Sequence, residues 1–415
     1  MKLVDKIISW GLYLFIILLP WQTRWIFKDV SINGGVFEYG RLSLYASEII
    51  LLVILFLGLI RFRNSKTYFW IGWLAVWSAL TILWSEEKIL ASYGWLKLAE
   101  GISLFWLINQ QKHRQGLSFS LIISGLIQAA FGIYQFLNQG IVGANKWLGL
   151  AMINSEAAGT SVIEFLDQRW LRAYGSLPHP NILGGFLAVC LLVLVIKLVK
   201  EQQVNKHLRY FYWLAAIITF FGLITTFSRS AWLGFGLTFI CLLVYHLVKK
   251  IKERRSTVLS LTAVFIIISL VFLIVFPYQL ITGRIKSDSR LEQKSLAERQ
   301  VVYEQFGSVI KGHWYQGTGP GNYLMAVREL QPDLAWYDYQ PVHDSGLLTF
   351  AELGVIGLIL FILVIIYVLR NKSDYWPLVI AILVIGLFDH YFRSLYFGII
   401  LWWLVMALAY RPKLD

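Results

Sequence analysis

The chain has 415 residues, 58% of them hydrophobic and only 15% charged, with 18 Trp, 21 Tyr and 27 Phe. A soluble domain carries roughly 25% charged residues; here the apolar residues fall in long blocks, so lipid is the solvent for most of the chain. The formal charge of +13 does not indicate a nucleic-acid partner, because the basic residues punctuate the apolar blocks at intervals, as membrane topology requires.

The chain opens with Lys2 and Lys6 and an apolar block at 7–20. No small-x-small site follows it, only Pro20, Trp21 and Gln22, so it reads as a retained first span, not a cleaved signal peptide. A bilayer core about 30 Å thick needs about 20 apolar residues per helix. Further blocks lie near 45–60, 68–84, 92–108, 117–137, 182–198, 210–227, 231–248, 257–276, 345–369, 376–389 and 394–409. The expected fold is therefore all-α: a polytopic integral membrane protein of about twelve transmembrane helices, with 1–415 forming a single membrane domain. Every second connection is short and basic: Arg61 to Lys66, Lys112 to Arg114, Lys197 to Arg209, Lys249 to Arg255, and Arg370 to Lys372. With the termini, these segments hold more than half of the 37 Lys and Arg. The positive-inside rule then places both termini in the cytoplasm. Cys190 and Cys241 fall inside apolar blocks and the seven His are scattered, so no disulfide, metal site or cofactor is expected.

The connections on the other face differ in kind. Residues 21–44 and 138–181 are medium-length loops, and 277–344 is a long extracytoplasmic loop with nearly balanced charge. Within it, Ser289 to Ile310 has helical periodicity, with Val302, Phe306, Val309 and Ile310 on one stripe. Such an amphipathic helix can lie on the membrane surface or lid a cavity. Internal repeats of the transporter kind are not evident, which disfavours an inverted-repeat carrier.

Four features of this outer face carry candidate chemistry. The first is Arg172-Ala-Tyr-Gly175, followed by His179-Pro180-Asn181 at the start of the sixth block. Asn181 reads as a helix N-cap and Pro180 as a chain director, while Arg172 has less structural reason to be there. The second is Ser228-Arg229-Ser230-Ala231-Trp232, in a link too short to leave the interface. A cation at that depth snorkels or finds an anion, and the planar arginine fork suits phosphate. The third is Arg299, with the later turn Gly317-Thr318-Gly319-Pro320-Gly321-Asn322, which should aim backbone N–H groups outward. It is not a Walker loop, because no Gly-Lys-Ser/Thr follows. The fourth is His343-Asp344 at the outer edge of the tenth block, where an imidazole suits proton transfer. Glu352, further along that block, is an intramembrane carboxylate in need of a partner. Arginines without an Asp-x-Asp metal site suggest a diphosphate gripped by guanidinium groups, and the membrane setting points to a lipid-linked substrate.

These residues, in this order, resemble the O-antigen ligase and Wzy polymerase superfamily of bacterial membrane glycosyltransferases. The resemblance runs through Arg172 with Gly175, His179-Pro180-Asn181, Ser228 to Trp232, Arg299, Gly317 to Tyr323, and His343 to Gly357. It covers residues 120–370; the first four blocks match only in hydropathy. It implies transfer of a glycan from an undecaprenyl-diphosphate carrier to a glycan, glycolipid or protein acceptor, by inverting single displacement, on the outer face of the cytoplasmic (inner) membrane. Metal and nucleotide sugar are not needed. By resemblance Arg172, Arg229 and Arg299 bind the diphosphate and His343 activates or orients the acceptor hydroxyl. His179, Asn181, Gly319, Gly321, Asp344 and Glu352 stand as possible supports. The family usually has Asn after its loop histidine; Asp344 here should raise the pKa of His343. It also has a Pro where this chain has Trp314. A polymerase, whose acceptor is another carrier-linked unit, is the alternative within the same chemistry. A carrier of small solutes such as bicarbonate is the alternative outside it; it calls for broken helices or paired ionisable residues at mid-membrane, and only Lys97, Glu100 and Glu352 qualify by inspection.

Overall fold

A computed structural model describes residues 2–62, 68–111, 114–139, 145–157, 159–165, 168–201, 204–249, 252–280 and 290–411. Ser289, Lys112 with His113, Lys250 with Ile251, and 63–66 of the first basic link, all used in the sequence reading, lie outside these residues.

Each apolar block falls on a helix. They are α1 (Lys2–Leu18), α2 (Ala46–Arg61), α3 (Phe69–Leu80, continued by a short 3-10 turn), α4 (Lys88–Gln110), α5 (Gln115–Asn138), α6 (Pro180–Lys200), α7 (Lys206–Thr225), α8 (Arg229–Lys249) and α9 (Lys252–Val275). Beyond the long loop come α12 (Ser345–Arg370), α13 (Pro377–Gly386), the single turn α14 (Tyr391–Ser394) and α15 (Tyr396–Ala409). Six of them, α5 to α9 and α12, are long and apolar enough to cross a bilayer by length and composition; α3, α13 and α15 are apolar but shorter. The protein is thus a multi-pass helical membrane protein.

Packing follows from which helices are apolar all round. α6 is buried over its entire apolar window and is enclosed by α5, α7, α8, α9 and α13. α15 is likewise buried throughout, whereas α1 to α3, α8, α9 and α12 show lipid one face: Trp10, Phe56, Trp73, Ile240, Ile267, Ile274 and Ile359 are all exposed. In water such a surface would aggregate; in hydrocarbon it carries no penalty. The end of the bundle bearing the basic links is fixed by polar ties. Arg61 pairs with Asp5 at 2.6 Å, Lys200 pairs with Asp374, and Arg114 donates to the carbonyls of Ala407 and Tyr410 at 3.2 and 2.9 Å.

At the opposite end the two medium loops contain sheet that the sequence reading treats as loop. β1 (Arg24–Ile32) and β2 (Gly35–Tyr45) pair antiparallel through the two-residue turn Asn33-Gly34. Both turn residues have positive φ, 49° and 76°, as a type I′ hairpin demands. A smaller hairpin joins β3 (Val162–Phe165) to β4 (Gln168–Leu171). In the long loop the amphipathic helix is α10 (Arg290–His313), and α11 (Tyr323–Leu330) follows the glycine turn. Val302 and Val309 are buried, with Phe306 and Ile310 packed beside them. They share a second core with Ile32 and Phe37 of the hairpin, Tyr323 of α11 and Leu348 of α12. The predicted stripe therefore faces an outer core built on the hairpin.

Candidate active site

The helix ends that converge below this outer core are those of α6, α8 and α12 (N-termini) and α7 and α13 (C-termini). His179, not Asn181, is the N-cap of α6: its Nδ1 accepts from the Asn181 N–H at 3.1 Å, its Nε2 lies 2.9 Å from Ser161 Oγ, and Pro180 takes the first helical position. This corrects the expected cap and leaves the Asn181 side chain available to Arg172.

Arg172 is almost fully buried. Its Nε donates to the Thr226 carbonyl at 2.8 Å, and one terminal nitrogen donates to Asn181 Oδ1 at 2.7 Å and to the Phe227 carbonyl at 3.3 Å. Phe227 stands at φ 49°, a left-handed conformation that a bulky residue adopts only when its surroundings impose it. Arg172 thus satisfies the orphan carbonyls at the end of α7 and fixes the turn that launches Arg229 into α8. Burial lowers its pKa to about 10, with the neighbouring Arg229 adding to the fall and Tyr174 and Asp389 opposing it. It stays cationic at neutral pH.

Ser228 precedes α8, its Oγ 3.3 Å from Ser230 Oγ, and Ser230 Oγ donates to Asp389 Oδ2 at 3.0 Å. The same carboxylate is hydrogen-bonded to Asn181 and feels the charges of Arg299 and Arg172. Asp389, in the link after α13, is therefore the anion that two of the sequence-predicted cations, Arg172 and Arg299, share. Arg229 begins α8 and is half-buried, and Arg299 on α10 is half-buried too.

His343 lies beside this group. Its pKa is lowered to about 4, first by burial and then by the charge of Arg299. The expected upward shift from Asp344 does not occur, because that carboxylate is engaged elsewhere: Asp344 caps α12, its Oδ1 accepting from Leu347 N–H at 2.8 Å. Burial raises the Asp344 pKa, with backbone N–H groups opposing. His343 Nδ1 is buried with no hydrogen-bond partner among the described residues. Its ring stands 5.2 Å from that of His390, whose Nδ1 is 2.7 Å from Ser394 Oγ and whose Nε2 is 3.4 Å from the Tyr39 hydroxyl.

The glycine turn and Glu352 form a different assembly. Helix α12 is interrupted at Gly354 (φ 65°, ψ −173°), and the freed carbonyls of Ala351 and Glu352 accept from Thr318 N–H at 3.0 Å and Gly319 N–H at 2.8 Å. Gly321 N–H donates to Glu352 Oε1 at 2.8 Å, and Glu352 Oε2 pairs with Arg393 at 2.9 Å. The turn's N–H groups accordingly point inward onto α12, contrary to the outward aim expected for Gly319 and Gly321. Glycine is obligatory at 354, since a Cβ there would sit 2.1 Å from the Tyr315 carbonyl oxygen. Glu352 thus has its partner, in a residue that the sequence reading passed over. Glu48, Asp389 and His390 were passed over as well; Glu48 pairs with Lys97, itself 3.5 Å from Glu100. The broken helix and these pairs are features a carrier would need, but the break is plugged by the glycine turn.

Residues 214–362 match the family model described as O-antigen ligase. Over this segment the chain is similar to the O-antigen ligase family. The segment spans α7 to the middle of α12 and so contains Arg229, Arg299, the glycine turn, His343 and Glu352, as the sequence resemblance requires. Arg172, Asn181, Asp389 and Arg393, which the ligase-family segment meets in space, lie outside it. No curated protein matches the chain.

Proposed function

We propose that the protein transfers a glycan from an undecaprenyl-diphosphate carrier to an acceptor hydroxyl, in the manner of an O-antigen ligase. The observation that carries this reading is the meeting of Arg299 with a neutral, unpartnered His343 nitrogen, with Arg229 beside Arg172 at the same end of an apolar bundle. Arg229 and Arg299 bind the diphosphate, while Arg172 is a positioning residue that builds the turn beneath Arg229. Asp389 offsets the charge of Arg172 and Arg299 until the donor arrives.

In the reaction the acceptor oxygen attacks the anomeric carbon from the face opposite the diphosphate. The new C–O bond forms as the bond to the phosphate oxygen breaks, and the electron pair leaves on the diphosphate. The acceptor proton passes to His343 Nδ1. A histidine with a pKa near 4 is neutral and ready to accept at pH 7; an anion on Arg299 also relieves the depression that Arg299 imposes, raising its basicity when the donor is bound. Charge on the departing diphosphate is stabilised by guanidinium groups already in place.

The same proposal covers topology. All twelve apolar helices span, 1–415 is one membrane domain, both termini are cytoplasmic, and 277–344 is the extracytoplasmic loop of an inner-membrane protein. Support comes from the basic links gathering at the end of the bundle opposite the site. Membrane vesicles test the function: the wild type should transfer glycan from the polyprenyl carrier, and Arg229→Ala expressed at equal level should not. Equal transfer by both overturns the site, and solute uptake without transfer overturns the enzyme.

A further inference from the structure

A separate cavity lies at the other end of the bundle, among the basic links. The last turns of α6 and α8, the first turns of α9 and the link from α12 to α13 enclose about 160 Å³ there. That is about five times the share of one water in the liquid, roughly 30 Å³, which leaves room for a phosphate diester. Its inner lining is apolar: Val195 and Val199 of α6, Leu242 of α8 and Val258 of α9 are all buried. The rest of the lining sets Lys200, Arg254 and Lys372 against one carboxylate, Asp374.

Asp374 is taken by Lys200, whereas Arg254 and Lys372 have no ion pair among the described residues. Lys372 stands over the ring of Trp376 at 5.1 Å. His246 of α8 lines the same cavity, is only 5% exposed and feels the charges of Arg254 and Lys200. Its Nδ1 is buried with no hydrogen-bond partner among the described residues, and a buried polar atom in that position calls for one. A neutral imidazole can donate from this nitrogen, and between two cations the acceptor that suits it is an anion. A larger open hollow on the α5–α7 side of Lys200 and Arg254 does not share this character. There Glu201 and Glu253 face the cations, and Lys197 pairs with Glu201 at 2.6 Å, so the charge is nearly offset. The surroundings of the smaller cavity also favour an anion that carries hydrocarbon. Val244, Tyr245 and Val248 on the adjoining turns of α8 are exposed, and basic pockets between helices at the membrane edge suit anionic lipid headgroups.

We propose that this cavity binds the phosphate of an anionic phospholipid, with Arg254, Lys372 and His246 holding the phosphate oxygens and the acyl chains lying along α8. The inference does not depend on the transferase reading; only the leaflet, the cytoplasmic one, comes from the topology proposed above. A lipid there joins α6, α8 and α13 at the ends opposite those that bear Asn181, Arg229 and Asp389. Because it binds the folded bundle, its occupancy raises the melting temperature.

The test uses full-length protein in neutral detergent, with dioleoyl phosphatidylglycerol as probe and dioleoyl phosphatidylcholine and inorganic phosphate as comparisons. Native mass spectrometry gives the affinities and thermal unfolding gives the stabilisation. The wild type should prefer phosphatidylglycerol to phosphatidylcholine at least tenfold. Arg254→Gln combined with Lys372→Gln should abolish that preference, since each cation near an anionic headgroup is worth roughly fivefold, and the lipid-free melting temperature should hold. His246→Phe removes the orphan nitrogen without changing the count of Lys and Arg, and should weaken phosphatidylglycerol several-fold. Lys6→Gln with Lys206→Gln, at two exposed lysines of the same end, should keep the preference. An undiminished preference in the Arg254 and Lys372 variant overturns the site, as does an equal loss in the Lys6 and Lys206 variant or an unchanged affinity in His246→Phe. Stabilisation by inorganic phosphate equal to that by phosphatidylglycerol puts the anion in solution and overturns the lipid.

Discussion

Replacing Arg172 separates building the site from using it. In Arg172→Met the Thr226 and Phe227 carbonyls lose their donor in a buried place, where each unsatisfied acceptor costs about 1–3 kcal/mol. The two together give about 2–6 kcal/mol, before any effect on the strained φ of Phe227 or on Asn181, whose Oδ1 the same guanidinium holds. Arg172→Lys should fare little better, since one ammonium cannot replace a fork that binds two carbonyls and an amide at once. Arg229→Met, at a half-buried helix start, should cost under about 1 kcal/mol. A thermal-unfolding series in detergent, paired with transfer assays, reads both effects. Arg172→Met should lose several degrees of melting temperature and most of the transfer; Arg229→Met should lose transfer alone. Equal melting temperatures for wild type and Arg172→Met would refute the positioning role.

The remaining predictions test other parts of the account. Because the pKa of His343 is about 4, kcat/KM should stay flat from pH 8 down to about 5 and fall as the imidazole protonates below that. Arg299→Gln removes a cation that lowers this pKa, so its acid limb should move to higher pH; a limb that stays or moves down contradicts the coupling. Gly354→Ala should destabilise by more than about 2 kcal/mol, from a left-handed φ and a clash with the Tyr315 carbonyl, seen as a lowered melting temperature. Glu352→Ala strands Arg393 in a buried pair, typically about 3–5 kcal/mol, and the double change Glu352→Leu with Arg393→Met should recover part of that loss. Thiol labelling of single cysteines, in a background with Cys190 and Cys241 replaced, should find position 338 open from outside and position 205 only after permeabilisation; the reverse overturns the topology.

Much of this architecture is legible in the sequence because lipid imposes a coarse rule. Blocks of apolar residues become helices. The amphipathic stretch was readable for the same reason: Val302 and Val309 recur at helical spacing, and both are buried. The β1–β2 hairpin also left a signal, Asn33-Gly34 between β-rich runs, which hydropathy windows do not register. What stayed hidden depends on long-range partners. Asp389 and His390 sit at the margin of an apolar block, with nothing local to mark them, and become part of the site only because α6, α8 and α13 end together. Arg172 was legible as an oddity but not as a carbonyl clamp, because its partners Thr226 and Phe227 lie more than fifty residues away. The glycine turn was legible as a turn, while its purpose, filling the break at Gly354, required seeing α12.

The most direct measurement is single turnover by purified, reconstituted protein with a labelled polyprenyl-diphosphate glycan and its acceptor. For the wild type the account predicts one polyprenyl diphosphate released for each glycan joined. For His343→Ala it predicts donor binding near wild type with transfer reduced at least a hundredfold, the low end for loss of a general base. Transfer by His343→Ala at the wild-type rate, or glycan joined without release of the diphosphate, would contradict it.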